Sequence, residues 1–284
     1  MLSIIVALVF GIFASWLLRN IAARAEGRVG PPLLQPVWDI LKLLSKGAIG
    51  NVAIVLPLVS LLLVAFAVLN LPFRDNWGGD LIVVLYSLTA SSIFTTIAGV
   101  VSGSPFSRMG GSRELQQTLL AELLLVASCF SVVVLSNSTS FQSIEIYYMT
   151  HGYNLFLIFT FVAMLVACQA KLRKAPFDIP DANVEVAAGP STEFSGYVLA
   201  MHELTYILEL YALPMLACFV FFGMNYAAAL MMSIIIIFVI GIAAASNARF
   251  STHTGAEVLF FTFIFALMMT AIMYIGGRFY GTFV

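Results

Sequence analysis

Three glutamates lie inside long apolar runs of the sequence, where an ionised carboxylate is energetically expensive. They are Glu122, Glu203 and Glu209, and a charge at the centre of a bilayer-spanning helix costs at least about 2.5–3.5 kcal/mol. His202, Tyr206 and Glu209 are spaced i, i+4 and i+7, so they share one stripe of a helix. Glu203 lies about 100° around the same helix from His202. Buried acids of this kind commonly serve ion transfer, so these five residues form a predicted proton or ion path.

A second set of carboxylates lies in the most polar stretch of the chain, residues 171–197. Its acids are Asp178, Asp181, Glu185 and Glu193. Two prolines fix the backbone near the first of them, and two phenylalanines lie in the same stretch. A solvated loop with a generic charged face is the alternative, but this mixture is unlike a floppy linker. The pattern favours a packed acidic loop.

The composition decides which class of protein positions these residues. The chain has 284 residues, 61% hydrophobic and 10% charged, with a mean hydropathy of +1.03. Soluble domains carry about 25% charged residues, so a soluble globular protein, a disordered chain and a nucleic-acid binder are excluded. The three cysteines stand singly in apolar runs and the three histidines are scattered, which gives no ligand pattern for a metal or an iron–sulfur cluster. The sequence predicts an integral membrane protein with no metal site of its own.

Eight apolar runs are long enough to cross about 30 Å of hydrocarbon as helices. They cover residues 2–18, 52–71, 81–103, 115–135, 152–170, 198–222, 226–244 and 257–277. Such continuous runs lack the alternation of a membrane β-barrel. Residues 36–46 alternate apolar and polar side chains at helical period, which predicts an amphipathic helix at the membrane surface. The expected fold is one all-α membrane domain, residues 1–284, with eight transmembrane helices plus a cytoplasmic-side amphipathic helix.

The basic residues segregate between the two sets of connections. Of the 13 Lys and Arg, all but two fall on one side. That side has Arg19, Arg24, Arg28, Lys42, Lys46, Arg108, Arg113, Lys171, Arg173, Lys174 and Arg249, and the other has Arg74 and Arg278. Because Lys and Arg concentrate in cytoplasmic connections, the richer side is predicted to be cytoplasmic. Both termini are then expected outside.

Three motifs, in order along the chain, resemble one known family. The first is Glu26-Gly27-Arg28-Val29-Gly30-Pro31-Pro32, followed by Asp39-Ile40-Leu41-Lys42-Leu43. The second is Gly111-Ser112-Arg113-Glu114-Leu115-Gln116-Gln117-Thr118, which leads to Glu122. The third is Ala175-Pro176-Phe177-Asp178-Ile179-Pro180-Asp181, with Glu185 and Glu193-Phe194-Ser195-Gly196 behind it. Together they resemble the eight-helix membrane subunit of respiratory complex I, which docks the peripheral arm and frames the quinone chamber.

Two departures bear on the choice within that family. Complex I subunits usually carry Ala-Gly-aromatic-His before the Glu-aromatic-Ser-Gly motif, whereas this chain has Ala188-Gly189-Pro190-Ser191. The family's glutamate in the following helix aligns near Tyr206, and Glu203 and Glu209 lie about one helical turn to either side. With the short chain, these features resemble the homologous subunit of energy-converting nickel–iron hydrogenases of the formate hydrogenlyase and ferredoxin-dependent types.

The resemblance also implies what the singled-out residues do. The loop that contains Asp178 and Glu193 would face the catalytic arm at the cytoplasmic surface. The buried glutamates would begin a lateral path for protons or Na⁺ towards antiporter-like membrane subunits. Three basic residues of the motifs would pair with these acids or with a docked subunit, namely Arg28, Lys42 and Arg113.

The resulting hypothesis is a non-catalytic anchor and ion-coupling subunit of an energy-converting hydrogenase in a prokaryotic cytoplasmic membrane. Its expected partners are the hydrogenase large and small subunits, a ferredoxin-like iron–sulfur subunit and the antiporter-like subunits. The iron–sulfur clusters and the nickel–iron centre would belong to those partners, with no cofactor in this chain. Two alternatives stay open. One is the quinone-site subunit of an NADH:quinone oxidoreductase, and the other is a stand-alone secondary ion transporter, which would be expected to show internal repeats.

Overall fold

The computed structural model describes residues 2–48, 54–73, 79–101, 104–180 and 189–281, with side chains up to residue 275. Over these ranges the chain is mainly helical and has no β-strand, although Asp80 and Ser140 form an isolated β-bridge. The predicted all-α fold is therefore confirmed. Asp181 and Glu185 of the acidic loop lie outside the described residues.

Ten α-helices and one short 3-10 helix build the described part of the chain. The α-helices are α1 (Leu2–Ala25), α2 (Gln35–Leu44), α3 (Val55–Asn70), α4 (Leu81–Val101), α5 (Pro105–Ser136), α6 (Phe141–His151), α7 (Leu157–Lys171), α8 (Gly196–Phe222), α9 (Tyr226–Ser246) and α10 (Thr252–Gly281). The 3-10 helix, Gly189–Glu193, precedes α8.

Six of these helices, α1, α4, α5, α8, α9 and α10, are long and apolar enough to span a membrane. The other two helices that correspond to predicted spans are shorter, with 16 residues in α3 and 15 in α7. A perpendicular crossing needs about 20 residues. The count of eight spans therefore stays a prediction.

Several helices differ from the expected pattern. α1 extends to Ala25, beyond the predicted run 2–18, and α10 covers Thr252–Gly281 where the run 257–277 was predicted. α5 begins at Pro105 instead of residue 115, because proline is well suited to the first turn of a helix and nothing interrupts the helix behind it. α6 was not expected; Ser140 caps it by accepting a hydrogen bond from the backbone N–H of Ser143 at 3.2 Å. The predicted run 152–170 correspondingly begins as a helix only at Leu157.

α8 forms the centre of the bundle. Every residue from 207 to 221 is buried, as expected for a helix that is apolar on all sides. α1 approaches it closely at Gly11, where an added Cβ would lie 2.1 Å from the Ile207 carbonyl oxygen. Small residues at such contacts let two membrane helices pack backbone to backbone.

The helix predicted at 36–46 is present as α2, which packs on α1 and α8, and its position at a membrane surface stays a prediction. Its Pro36 and Ile40 are buried, whereas Trp38 and Leu41 are exposed. Asp39 accepts hydrogen bonds from Arg19 at 2.7 Å and from Gln35 at 3.0 Å. The Arg19–Asp39 contact thereby holds α2 against the last turns of α1.

Candidate functional site

A buried ion pair joins α5 to the end of α7. Lys171 Nζ donates a hydrogen bond to Glu122 Oε1, and the two side chains are 1% and 9% exposed. The other carboxylate oxygen, Oε2, accepts a hydrogen bond of 2.7 Å from the Thr89 hydroxyl on α4. Both oxygens of Glu122 are therefore partnered, which is how a protein tolerates a buried carboxylate.

A second ion pair lies on the same face of α5. Glu114 precedes Glu122 by eight residues, so both point to one side of the helix. Arg173 Nη1 lies 3.2 Å from Glu114 Oε1, and both side chains are mostly buried. Arg173 reaches this position with a left-handed backbone, φ 51°. Gln117, between the two glutamates, donates to the carbonyls of Ala170 and Phe177 at 2.8 and 2.7 Å and so holds the turn after α7 against α5.

Glu209 on α8 completes this group from the opposite side. It is 5% exposed and lines a small polar cavity with Glu114, Lys171 and Arg173. It also lies within electrostatic range of Lys171, Arg173 and Glu122. Three acids and two cations are thus enclosed together, and we call them the buried charge group: Glu114, Glu122, Glu209, Lys171 and Arg173. A proton or cation that enters would change the protonation equilibria of these side chains.

A larger polar cavity, of about 210 Å³, lies between α1, α8 and the turn 172–174. His202, Glu203, Tyr206 and Arg173 are among its lining residues. His202 Nδ1 and the Tyr206 hydroxyl are buried with no hydrogen-bond partner among the described residues. Lys174 Nζ lies 5.2 Å from the centre of the Tyr206 ring. Because buried polar atoms are normally hydrogen-bonded, the two orphan groups indicate a cavity that takes up water or a polar ligand.

A third cavity, of about 110 Å³, extends the polar region to α2. It shares Ser15, Arg19 and Glu203 with the larger cavity and is also lined by Asp39. Arg173 in turn lines both the larger cavity and the one that contains Glu209. Charged side chains therefore follow one another from the surface at α2 into the bundle. Their order is Asp39, Arg19, Glu203, Arg173, Glu209, Lys171 and Glu122.

The structure thus brings together the residues of the predicted path, but it places the other singled-out residues elsewhere. Asp178 lies in the segment after α7, where the Nε and Nη2 of Arg249 donate to its two oxygens at 2.9 and 2.6 Å. Glu193 is half-buried at the end of the 3-10 helix. Neither residue is part of the buried charge group.

The three basic residues of the motifs also lie outside the buried charge group. Arg28 pairs with Glu26 at 2.8 Å on the surface, and Lys42 is exposed on α2. Arg113 is half-buried and lines a small pocket with Gln117 and residues of α10. The cations that contact the buried glutamates are instead Lys171 and Arg173.

Sequence reasoning missed Lys171 and Arg173 because each follows an apolar run and so resembles an ordinary residue of a basic cytoplasmic connection. The one available signal was position: Lys171 directly follows an apolar run, a place from which a side chain can turn inwards. The three cysteines are buried and free. Over the described ranges no group of three or more His, Cys, Asp or Glu residues could hold a metal ion.

Comparison with known proteins gives three kinds of relative. The chain is 30% identical over 247 residues to a subunit of the NADH-quinone oxidoreductase of Thermomicrobium roseum, covering 74% of this chain and 72% of that protein. It is 34% identical over 197 residues to hydrogenase-4 component C of Escherichia coli K12, covering 64% of this chain and 62% of that protein, which is less than two thirds of its length. A chain of the membrane-bound sulfane sulfur reductase, an archaeal respiratory membrane complex, superposes with a TM-score of 0.83 at 25% identity, covering 96% of both chains.

The first two relatives are named as a subunit and a component of a larger enzyme, and the third belongs to a respiratory membrane complex. The three names differ in the reaction that they describe. The apolar helices of this chain agree with that setting, and the chain is accordingly a multi-pass membrane subunit of a complex I-like oxidoreductase. Residues 1–277 match the family described as NADH dehydrogenase, and the chain belongs to that family.

Proposed function

We propose that this chain couples electron transfer in a peripheral redox arm to the movement of protons or Na⁺ through the buried charge group. The observation that carries the proposal is the enclosure of Glu114, Glu122 and Glu209 with Lys171 and Arg173 inside the bundle. Burying five ionisable side chains costs free energy that a purely structural core would avoid, because apolar residues of similar volume are often as stable or more so.

The charge group has a physical property suited to coupling. Each acid interacts with at least one cation and each cation with more than one acid. A change of protonation at one carboxylate therefore alters the free energy of protonating the next one. Glu203 connects this group to the cavities that reach α2 and the surface. A redox event at a docked arm could therefore be transmitted inwards as a change of charge at Glu203 and then at Glu209.

The test replaces the acids with isosteric neutral side chains in the assembled complex. Glu203→Gln and Glu209→Gln are expected to leave assembly and electron transfer in place while most of the ion gradient formed per electron is lost. The measurement pairs substrate turnover with a pH- or Na⁺-sensitive dye in inverted membrane vesicles. Glu26→Gln is the matched control, because Glu26 pairs with Arg28 on the surface. Normal ion movement in both cavity variants would contradict the proposal.

Within the complex I-like oxidoreductases, we favour the energy-converting hydrogenases. Two features support this choice: the Gly189-Pro190-Ser191 sequence before the Glu-aromatic-Ser-Gly motif, and the 34% identity to hydrogenase-4 component C. The peripheral arm would then contain the nickel–iron centre and the iron–sulfur clusters, and antiporter-like subunits would continue the path. The native complex is expected to contain nickel and to turn over hydrogen. A purified complex that contains quinone and no nickel would overturn this choice.

The cavity of about 210 Å³ favours a second candidate, the quinone-site subunit of an NADH:quinone oxidoreductase. His202 Nδ1 and the Tyr206 hydroxyl are hydrogen-bonding groups without a described partner, and a quinone ring presents two carbonyl acceptors. Competition of a photoreactive quinone analogue with a quinone-site inhibitor at Tyr206 in the native complex would support this candidate. Labelling that is unchanged by the inhibitor would exclude it.

A further inference from the structure

A large cleft lies outside the charge group, between the last turns of α1 and α9. Its volume is about 600 Å³, within the roughly 300–1,000 Å³ typical of small-molecule pockets. Its principal lining residues are Leu17, Ile21 and Arg24 of α1, with Phe238, Ile242 and Ser246 of α9. On each helix these positions recur at three- to four-residue intervals, so two facing stripes form the walls.

The cleft lies beside a close contact between the two helices. At Gly241 of α9, an added Cβ would lie 2.7 Å from Ile21 Cδ1 and 3.2 Å from Leu18 Cδ2. Large side chains beside this contact, such as Phe238 and Ile242, are 47% exposed and are not covered by the facing helix. The result is an apolar cleft that opens to the flank of the bundle.

The chemistry of the lining changes along the helix axis. From Leu17 to Arg24 the helix rises by about 10 Å, from an apolar floor to the charged last turn of α1. Arg24 and Ser246 lie at this mouth together with Asn20, on the same end of the molecule as the basic connections. None of the described residues that line the cleft is acidic.

We propose that this cleft binds an anionic phospholipid, with an acyl chain along Phe238 and Ile242 and the headgroup phosphate at Arg24. A neutral helix of a partner subunit would fill the apolar part equally well, but it would leave the arginine at the mouth without a complementary charge. Basic pockets between membrane helices on the cytoplasmic side are known to suit anionic headgroups. The mouth therefore selects headgroup charge, and the walls supply affinity for any lipid.

The test measures lipid retained by the full chain, purified in detergent, with native mass spectrometry. Dioleoylphosphatidylglycerol is expected to bind more tightly than dioleoylphosphatidylcholine. Arg24→Gln should weaken the phosphatidylglycerol complex by about fivefold, the change that roughly 1 kcal/mol per basic residue gives, and Arg24→Lys should retain it. Arg28→Gln is the matched control, because Arg28 pairs with Glu26 away from the cleft.

A second variant tests the walls independently of the charge. Ala245→Trp would fill the cleft and is expected to lower the retention of both lipids while Arg24 is kept. Equal binding of the two lipids by the unmodified chain would overturn the proposal, and so would wild-type binding in Arg24→Gln. A photoreactive residue at position 245 that cross-links to a partner subunit in native membranes, and not to lipid, would likewise overturn it.

Discussion

Lys171 brings a positive charge into a part of the bundle where its side chain is 1% exposed. Its partner Glu122 has a second hydrogen bond from Thr89, whose hydroxyl also lies 2.9 Å from the Leu85 carbonyl oxygen and can donate its one proton to either acceptor. Thr89 would therefore remain hydrogen-bonded if the carboxylate were removed, whereas removal of Lys171 would take away the cation that is hydrogen-bonded to Glu122. This asymmetry allows the stability of the pair and its role in ion movement to be measured separately.

The residue-scale prediction is a double-mutant cycle on this pair. Lys171→Met leaves Glu122 as a buried, uncompensated charge and is expected to lower the free energy of unfolding by about 3–5 kcal/mol. Adding Glu122→Leu should restore most of that loss, because an apolar pair of similar volume needs no desolvation of charge. Thermal unfolding of the four proteins in detergent measures the coupling, and Lys42→Met on the exposed face of α2 is the control.

The same double variant separates structure from function. It is expected to fold and to assemble, yet to form no ion gradient in membrane vesicles, because the charge group has lost two of its members. A gradient of normal size in the double variant would mean that Lys171 and Glu122 serve only to hold α5 and α7 together.

At the scale of elements, the 3-10 helix is held in place by contacts with α4 and α5. The Ser107 hydroxyl lies 2.9 Å from the Gly99 carbonyl oxygen and 3.0 Å from that of Pro190. Gly110 allows the closest approach, since an added Cβ would lie 2.5 Å from Gly189 Cα. Gly110, next to the first residue of the second motif, is thus inside α5, where it makes room for the segment that ends at Glu193.

The element-scale prediction is that Gly110→Ala displaces the 3-10 helix and weakens docking of the peripheral arm. Backbone atoms on both sides of the contact leave no flexible side chain to move away, so the helix itself must shift. Gly47→Ala is the matched control, because a Cβ there meets nothing within 4 Å. Recovery of peripheral subunits with the affinity-purified chain measures docking. Equal recovery from both variants would remove this surface from the interface.

Sequence patterns predicted a helix well where one amphipathic pattern or one continuous apolar run covers the whole helix. The amphipathic helix at 36–46 is found at Gln35–Leu44, and the run 198–222 at Gly196–Phe222. The first ten residues of α5 were missed because its polar residues resemble a connection. Glu114 is acceptable in a buried helix only because Arg173, distant in sequence, pairs with it.

The acids of the candidate site could be predicted from the sequence, whereas its two cations could not. The cost of a charge in an apolar run singles out Glu122, Glu203 and Glu209 from sequence alone. The inward turn of Lys171 and Arg173 depends on a left-handed residue and on Gln117 bonding the turn carbonyls. No local pattern reveals such a turn, since it follows from tertiary packing.

At the scale of the whole molecule, the connections gather at two ends. At one end, the Asp178–Arg249 ion pair and the hydrogen bond from Phe250 N to the Pro176 carbonyl join two connections. At the other end, the Tyr148 and Tyr153 hydroxyls donate to the carbonyls of Val220 and Phe222, each at 3.0 Å. The lysines and arginines whose side chains the structure describes lie towards the first end, and the positive-inside rule predicts that this end is cytoplasmic.

This arrangement predicts the outcome of cysteine labelling, with Gly47→Cys, Gln142→Cys and Ala248→Cys as single probes at exposed positions. The native cysteines are fully buried, so the wild-type chain is an unreactive control for a membrane-impermeant maleimide. Three predicted spans, α3, α4 and α5, separate positions 47 and 142, and three more predicted spans, α7, α8 and α9, separate 142 and 248. With eight spans, inverted vesicles should label positions 47 and 248, and position 142 should react only after detergent is added.

If the 16-residue α3 did not cross, positions 47 and 142 would lie on the same side and react together. If α7 did not cross, positions 142 and 248 would pair instead, so each short helix is tested by its own pair of probes.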